Sequence, residues 1–208
     1  FGYALDHKRA YDNDLGPNTG GMGCFTPSKK VTKKILDEIK NKVVKPTISG
    51  IKKGNFIFRG ILFFGLMISK TGPYVIEYNV RFGDPECQTL MRNLKSDLLD
   101  IINACIRDKL FEKKISLSKN HVVCVVIASK GYPGSYKKNL PLSNLNLLEK
   151  KKDVEIFHAG TKNLNGKVVS SGGRVLSITA TGKNISEARS KAYLVVERLK
   201  WKDGFFRK

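Results

Sequence analysis

The stretch VIEYNVRFGDPE, residues 75–86, places carboxylate, amide and guanidinium side chains together directly after an apolar run. The segment before it, RGILFFGLMIS (59–69), is apolar enough for a strand that is buried on both faces. Residues 70–73 (KTGP) are typical of a turn, and residues 74–80 then predict a returning strand. The sequence therefore predicts a hairpin whose second strand ends in charged residues.

Three polar side chains at the end of this hairpin carry its candidate chemistry. Because side chains alternate along a strand, Glu77 and Asn79 lie on one face, and Arg81 follows two residues later, where the strand ends. Carboxylate and amide oxygens suit a hard cation such as Mg²⁺, and an arginine beside them suits a phosphate. The alternative is a solvated surface strand, which these residues alone slightly favour.

The next residues, FGDPE (82–86), shift that balance toward a site. Gly83 and Pro85 force a sharp departure from the strand, which keeps Asp84 and Glu86 near the strand end. If a helix begins at Glu86, its positive end is also close, which suits anion binding. The alternative is a plain strand-to-helix turn with an acidic first turn.

The rest of the chain predicts a mixed α+β fold. One helix begins near Thr32 and is interrupted or ended at Pro46 or Gly50, and a second covers 96–110 with Ser96 as its N-cap. A polar, lysine-rich stretch at 111–120 predicts a linker. Beyond it the apolar pattern predicts strands at 121–129, 154–158, 167–170 and 174–181, and a last helix capped by Asn184 with Ala188, Ala192, Val195 and Leu199 on one face.

Composition bounds the function classes. The 208 residues carry a net charge of +20, which nucleic-acid binders show, but the lysines are spread along the chain and no nucleic-acid motif is present. A solvated basic surface is therefore favoured. The longest apolar stretch is too short to span a bilayer. Four cysteines without a CxxC pair, with three histidines, argue against a zinc site and favour a reducing, cytoplasmic location.

Two loop segments are weaker candidates. The segment NTGGMG (18–23) can present backbone N–H groups to a phosphate or carboxylate, but it matches neither nucleotide-binding glycine motif. From the residues alone, a flexible connector is the favoured interpretation. The segment DHKR (6–9) offers mixed charge, and His7 between charged neighbours is most simply a surface residue.

Several blocks in order resemble one family, the phosphoribosylamine–glycine ligases, also called glycinamide ribonucleotide synthetases. They are DHKR (6–9), GPNTGGMG (16–23), VIEYNVRFGDPEC (75–87), LKSDL (94–98), SKGYPGSY (129–136), FHAGT (157–161) and SGGRVL (171–176). The resemblance implies the C-terminal part of an ATP-grasp domain at 1–115 and a small sheet-and-helix domain at 116–208. It also implies a cytoplasmic enzyme of de novo purine synthesis.

The resemblance implies a reaction and a set of residues. The enzyme joins glycine to 5-phosphoribosylamine and splits ATP to ADP and phosphate through glycyl phosphate. Glu77 and Asn79 would hold Mg²⁺ (or Mn²⁺), and Arg81 would be catalytic by stabilising the transferring phosphoryl group. The remaining residues would bind substrates: Asp6, His7, Lys8, Arg9, Thr19, Gly20, Gly21, Asp84, Pro85, Glu86 and Lys95.

The resemblance extends to only about the C-terminal half of such an enzyme. We therefore expect a fragment that is inactive alone, and fusion to or association with other purine-pathway enzymes stays open. Two alternatives also stay open: a basic nucleic-acid-binding module, and a catalytically inactive relative with a role in assembly. Intact Glu77, Asn79 and Arg81 argue against decay at this site.

Overall fold

The computed structural model describes residues 1–143, 145 and 152–208 of the chain. The strands are β1 (Leu5–Asp6), β2 (Arg9–Tyr11), β3 (Leu15–Asn18), β4 (Gly23–Thr26), β5 (Phe63–Ser69), β6 (Gly72–Asn79), β7 (His121–Ser129), β8 (Val154–His158), β9 (Thr161–Leu164), β10 (Lys167–Ser170), β11 (Arg174–Gly182) and β12 (Gly204–Phe206). The helices are α1 (Lys33–Ile39), α2 (Lys45–Lys53), α3 (Glu86–Asn93), α4 (Leu98–Ile106) and α5 (Ile185–Leu199). This content confirms the predicted α+β class.

The chain divides into two compact units, each described separately below. Unit 1 comprises Phe1–Pro27, Asp84–Asn93 and Ser118–Lys208, and unit 2 comprises Ser28–Gly83 and Leu94–Leu117. The junction at Leu117 and Ser118 is close to the sequence-based division at 115/116, while unit 1 also takes in two earlier segments. The sequential division into 1–115 and 116–208 stays a prediction.

Unit 1 is organised around an antiparallel six-stranded sheet in the order β1-β4-β7-β11-β8, with β12 also paired to β7. Strand β7 is buried from Val122 to Ser129 because it is flanked on both edges and covered on both faces. Alternate residues of β7 join the core beneath α5, and the others lie on the face that carries α3. Its continuous apolar sequence therefore predicted its central place.

Helix α5 closes one face of this sheet. Asn184 Oδ1 accepts from Glu187 N at 2.9 Å, and Glu187 Oε2 accepts from Lys183 N at 2.8 Å, which satisfies two amide groups at the helix start. The apolar face predicted from spacing, with Ala188 and Leu199 at its ends, is buried. The predicted strands from 121 onward and this helix are confirmed, whereas the short strands β1 to β4, β9 and β12 were missed.

Unit 2 contains the predicted hairpin of β5 and β6, and a helical segment that contradicts one expectation. Helical backbone continues from α1 through a π-type turn at Lys40–Val44 into α2, so Pro46 does not end it. Pro46 lies in the first turn of α2, where the Lys45 amide already bonds to Lys40 O across the wider turn. That widening accommodates the proline ring, which would clash in a regular helix.

Two further expectations for unit 2 were wrong. Helix α4 is capped by Asp97, whose Oδ1 accepts from Asp100 N at 3.0 Å, while Ser96 accepts from Ser116 N instead. Strand β5 is not buried on both faces, since Met67 is 58% exposed. Among the described residues, no helix is long and apolar enough to cross a membrane.

Candidate functional site

The polar end of strand β6 in unit 2 keeps the arrangement predicted for a cation site. Glu77 lies opposite Gly65 and Asn79 opposite Phe63 in an unbroken stretch of the ladder, so both side chains are on one face. A Cβ at Gly65 would lie 2.7 Å from Glu77 Cγ, so only glycine leaves room for this glutamate. A β-bulge directly before Glu77 shifts the register and fixes the direction of its side chain.

These two oxygen donors fit a cation that is shared with phosphates. Glu77 is exposed and Asn79 is half-buried, so both can reach a ligand. In the described part of the chain, no group of three or more His, Cys, Asp or Glu could hold a metal by itself. Mg²⁺ is commonly held by one or two protein oxygens together with substrate phosphates and water, and this donor set fits that pattern.

Arg81 lies beyond the end of β6, so strand alternation does not fix its direction. Its guanidinium is exposed and donates to Phe82 O at 2.8 Å, which leaves further N–H groups for an anion. Lys95 is also in unit 2 and is exposed, with its main-chain amide bonded to Ser116 O at 2.9 Å. The polar end of the hairpin in unit 2 thus carries Glu77 and Asn79 on β6 and Arg81 just beyond it.

The segment from Thr19 to Gly23 in unit 1 contradicts the interpretation as a flexible connector. Gly21, Met22 and Gly23 are buried, and β4 belongs to the main sheet. The segment also does not offer an anion nest. Its amides from residue 19 to 22 are all occupied, by Lys8 O, Tyr132 OH, Thr19 Oγ1 and His7 O in turn. Internal hydrogen bonds make this loop a rigid support.

Gly21 brings two other predicted segments against this loop. Its φ is +118°, and a Cβ there would meet Pro85 Cδ at 2.6 Å and Asp6 Oδ1 at 2.8 Å. Asp6 pairs with Lys8 Nζ at 2.5 Å and has a side chain only 9% exposed. The structure therefore brings Asp6, Gly21 and Pro85 together within unit 1, so closely that no side chain fits at position 21.

The carboxyl groups of this cluster are in an environment that disfavours their charge. Burial raises the pKa of Asp6, and the hydrogen bond and charge of Lys8 oppose that effect. Burial also raises the pKa of Glu86, and the negative charge of Asp6 adds to it. Glu86 is 6% exposed and begins α3, as predicted. Two buried acids whose negative charges repel each other are typical of a functional site.

The other predicted residues of unit 1 have mainly local contacts. Arg9 Nη1 donates to Gly16 O at 2.8 Å within the β2–β3 hairpin. His7 is half-buried, with its ring stacked on Phe25 at 5.9 Å between centroids, so it is not the simple surface residue that was expected. Asp84 Oδ1 accepts from Gln88 Nε2 at 3.2 Å across the first turn of α3.

Three residues that hold these segments were not among the predicted site residues. Cys24 Sγ donates to Pro85 O at 3.3 Å and lies 2.9 Å from Thr89 Oγ1. Tyr132 OH accepts from Gly20 N at 2.9 Å, and Arg174 Nη1 donates to Asp84 O at 2.6 Å. Tyr132 and Arg174 belong to the blocks SKGYPGSY and SGGRVL, so their presence in those blocks was the available signal.

Two family models match this chain. The model described as phosphoribosylglycinamide synthetase, ATP-grasp (A) domain, matches residues 1–87. The model described as phosphoribosylglycinamide synthetase, C domain, matches residues 122–208. The first range contains most of the predicted site residues, and the second contains Tyr132 and Arg174.

Curated relatives carry a matching name. The phosphoribosylamine–glycine ligase of Agrobacterium fabrum is 46% identical over 205 residues, which are 99% of this chain and 48% of that protein. The chloroplastic phosphoribosylamine–glycine ligase of Arabidopsis thaliana is 47% identical over 208 residues, which are 98% of this chain and 39% of that protein. The chain thus spans about half the length of the first of these relatives and less than half of the second.

Solved structures agree with these matches. The phosphoribosylamine–glycine ligase structure from Thermotoga maritima has a TM-score of 0.84 and 33% identity, covering 98% of this chain and 50% of that one. A biotin carboxylase from Campylobacter jejuni has a TM-score of 0.56 at 13% identity, covering 91% of this chain and 40% of that one. The second likeness is one of fold alone.

Proposed function

We propose that this chain, which belongs to the phosphoribosylamine–glycine ligase family, supplies the metal-binding and substrate-binding residues of such a ligase. The complete enzyme would join glycine to 5-phosphoribosylamine at the expense of ATP. The observation that carries the proposal is the register of β6, which sets Glu77 and Asn79 on one face with Gly65 opposite the glutamate.

The first step would be phosphoryl transfer. A carboxylate oxygen of glycine attacks the γ-phosphorus of ATP, the bond to the β–γ bridging oxygen breaks, and ADP leaves, giving glycyl phosphate. Glu77 and Asn79 would hold Mg²⁺ (or Mn²⁺), which neutralises phosphate charge when it is bound. The exposed guanidinium of Arg81 would stabilise the charge on the transferring group. Because glycine provides the nucleophile, the protein needs no catalytic serine or cysteine.

The second step would form the amide. The amine nitrogen of 5-phosphoribosylamine attacks the acyl carbon of glycyl phosphate, phosphate leaves with the bonding electrons, and the nitrogen loses a proton. The segments 6–9, 19–21 and 84–86 would bind these substrates. The buried carboxyls of Asp6 and Glu86 support this assignment, since buried acids with a perturbed pKa are typical of functional sites. Product release would give glycinamide ribonucleotide.

We also propose that the chain alone is inactive and acts as part of a complete ligase. Apolar side chains on and directly after the β5–β6 hairpin support this: Met67 is 58% exposed, Ile76 is 64% exposed, and Val80, the residue after β6, is 75% exposed. Such exposure within one hairpin is typical of a surface that another part of an assembly covers. A cytosolic location is part of the proposal, and the four free cysteines fit a reducing compartment.

The test is Glu77→Gln in the complete ligase, with ADP release measured as a function of glycine and 5-phosphoribosylamine. We expect a loss of about a hundredfold or more, because the amide keeps the shape of the carboxylate but lacks its charge. Glu155→Gln is the matched control, since Glu155 is also an exposed strand glutamate. Unchanged activity in Glu77→Gln would refute the metal assignment. Glycine-dependent ATP hydrolysis by the isolated chain would refute its inactivity.

A further inference from the structure

Arg174, at the start of β11, links two segments that are far apart in sequence. Its Nη1 donates to Gly20 O at 2.9 Å and to Asp84 O at 2.6 Å, and Gly21 O lies at the limit of bonding, 3.5 Å away. Its Nη2 lies 3.4 Å from Asp84 Oδ2. One guanidinium thus holds the glycine turn and the first residue of the Asp84–Glu86 segment.

Tyr132, just after β7, completes the hold on the glycine turn. Gly20 N donates to Tyr132 OH at 2.9 Å, while Gly20 O accepts from Arg174. Both main-chain polar groups of Gly20 are therefore bonded to side chains from the 122–208 region. The ring of Tyr132 is half-buried beside Tyr136, with 6.4 Å between their centroids, so its hydroxyl is held in place.

The chemistry of Arg174 suits this task better than any other side chain. The two N–H groups of Nη1 match its two short contacts, to Gly20 O and Asp84 O, while Nη2 faces the Asp84 carboxylate, and a lysine has no second nitrogen for that contact. The Arg174 side chain is 22% exposed, so its charge-assisted hydrogen bonds are only partly screened. A shift of this guanidinium would move the turn that lies against Asp6 and Pro85.

We propose that Arg174 and Tyr132 are positioning residues for the substrate-binding segments of unit 1. They set the spacing between the Gly20–Gly21 turn and Asp84. Because the turn lies against Asp6 and Asp84 is close to Glu86 in sequence, that spacing also places the two acids. The identity of the affected substrates, glycine and 5-phosphoribosylamine, rests on the proposed function. The positioning itself rests only on the contacts above. The contacts described above all lie within unit 1, whereas the proposed metal residues are in unit 2, so the KM for ATP should be affected least.

The first experiment is steady-state kinetics on the complete ligase with Arg174→Ala, Tyr132→Phe and the control Arg198→Ala, in which an exposed arginine of α5 is removed. We expect Arg174→Ala to lower kcat/KM for 5-phosphoribosylamine by about tenfold to a hundredfold with little change in KM for ATP. Added guanidinium ion should restore part of the loss. Tyr132→Phe should cost about threefold to tenfold, since only one neutral hydrogen bond is lost. Arg198→Ala should match the parent.

The second experiment measures amide hydrogen exchange in the 208-residue chain itself, so it does not depend on the proposed activity. Tyr132→Phe should speed exchange at Gly20 by about tenfold while Met22 is unchanged. Arg174→Ala should speed exchange throughout residues 20–22. If the complete ligase shows no glycine-dependent activity, the proposed function fails. The amide exchange rates at residues 20–22 then still test whether Arg174 and Tyr132 position the glycine turn.

Two results would overturn the positioning role. One is unchanged exchange at Gly20 in both variants. The other is a fall in kcat/KM for ATP equal to that for 5-phosphoribosylamine, without rescue by guanidinium, which would mark a general structural defect. Should Arg174→Ala fail to fold, Tyr132→Phe decides, because it keeps the ring and removes a single oxygen.

Discussion

The hairpin end in unit 2 and the buried cluster in unit 1 are opposite kinds of site. Glu77 and Arg81 are exposed and close in sequence, and their arrangement follows from one strand and its register. Asp6, Glu86 and Arg174 come from three distant segments; the two acids are buried, and the arginine is held by hydrogen bonds to main-chain oxygens of the other segments. Substitutions are therefore expected to lower activity with little effect on stability in the first region, and to change both in the second.

The largest effect on stability is expected where the buried cluster is tightest. Gly21→Ala should lower the free energy of unfolding by about 3 kcal/mol, because it adds a Cβ at a φ of +118° against Pro85 and Asp6. Chemical denaturation measures this. Gly166→Ala is the control, since Gly166 has a φ of +77° and nothing within 4 Å of the added Cβ. Equal costs at both positions would show that backbone strain, and not the crowded contact, explains the loss.

The hairpin end should show the reverse behaviour. Arg81→Ala should lower kcat of the complete ligase by about a hundredfold, because it removes charge stabilisation during phosphoryl transfer. The free energy of unfolding should change by less than about 0.5 kcal/mol, since the side chain is exposed. A large loss of stability with normal kcat would show that Arg81 has a structural role and does not act in phosphoryl transfer.

The smallest effect is a gain of stability in the buried cluster. Burial, with the charge of Asp6, raises the pKa of Glu86 above its ordinary value of 4.5. An acid with a raised pKa stabilises the fold below its ordinary value, and that contribution is lost as the pH rises through the folded-state pKa. Glu86→Gln should therefore raise the free energy of unfolding at pH 7 by on the order of 1 kcal/mol, while the activity of the complete ligase falls.

The measurement is denaturant unfolding of Glu86→Gln and the parent at several pH values above 4.5. The two should converge at the acidic end and separate as the pH rises, since only the parent must ionise a buried carboxyl. Asp6 remains in both proteins and contributes a loss of the same sign, so the difference reports the burial of Glu86 together with its repulsion from Asp6. A parent that is more stable than the variant at pH 7 would contradict the pKa direction.

Sequence alone predicted the parts of the fold that depend on local pattern. The continuous apolar run of β7 and the four-residue spacing of α5 mark buried elements whatever surrounds them. Strands β1 and β4 escaped prediction because they are short and rich in glycine or acid, and they exist only through pairing with distant strands. The helix through Pro46 was missed because a π-type turn has no residue signature.

In the candidate site too, the features with a local sequence pattern were predicted and those that depend on distant segments were not. The common face of Glu77 and Asn79 follows from the period of a strand, and the register agrees with it. The meeting of Asp6, Gly21 and Pro85 has no local cause, and only the family resemblance placed all three in one list. Arg174 was missed because its role depends on carbonyl groups far away in sequence. Their roles in the reaction stay predictions.

The partition of unit 1 into three chain segments has a consequence for synthesis on the ribosome. Strand β4 pairs with β7, and Cys24 lies opposite Cys124 in that ladder. The first strands therefore leave the ribosome long before their partner strand is synthesised. Until β7 emerges, β4 has an open edge and Met22 has no core to enter. Pairing over such a separation closes slowly. The early strands of this chain therefore stay exposed to mispairing or capture by chaperones during translation.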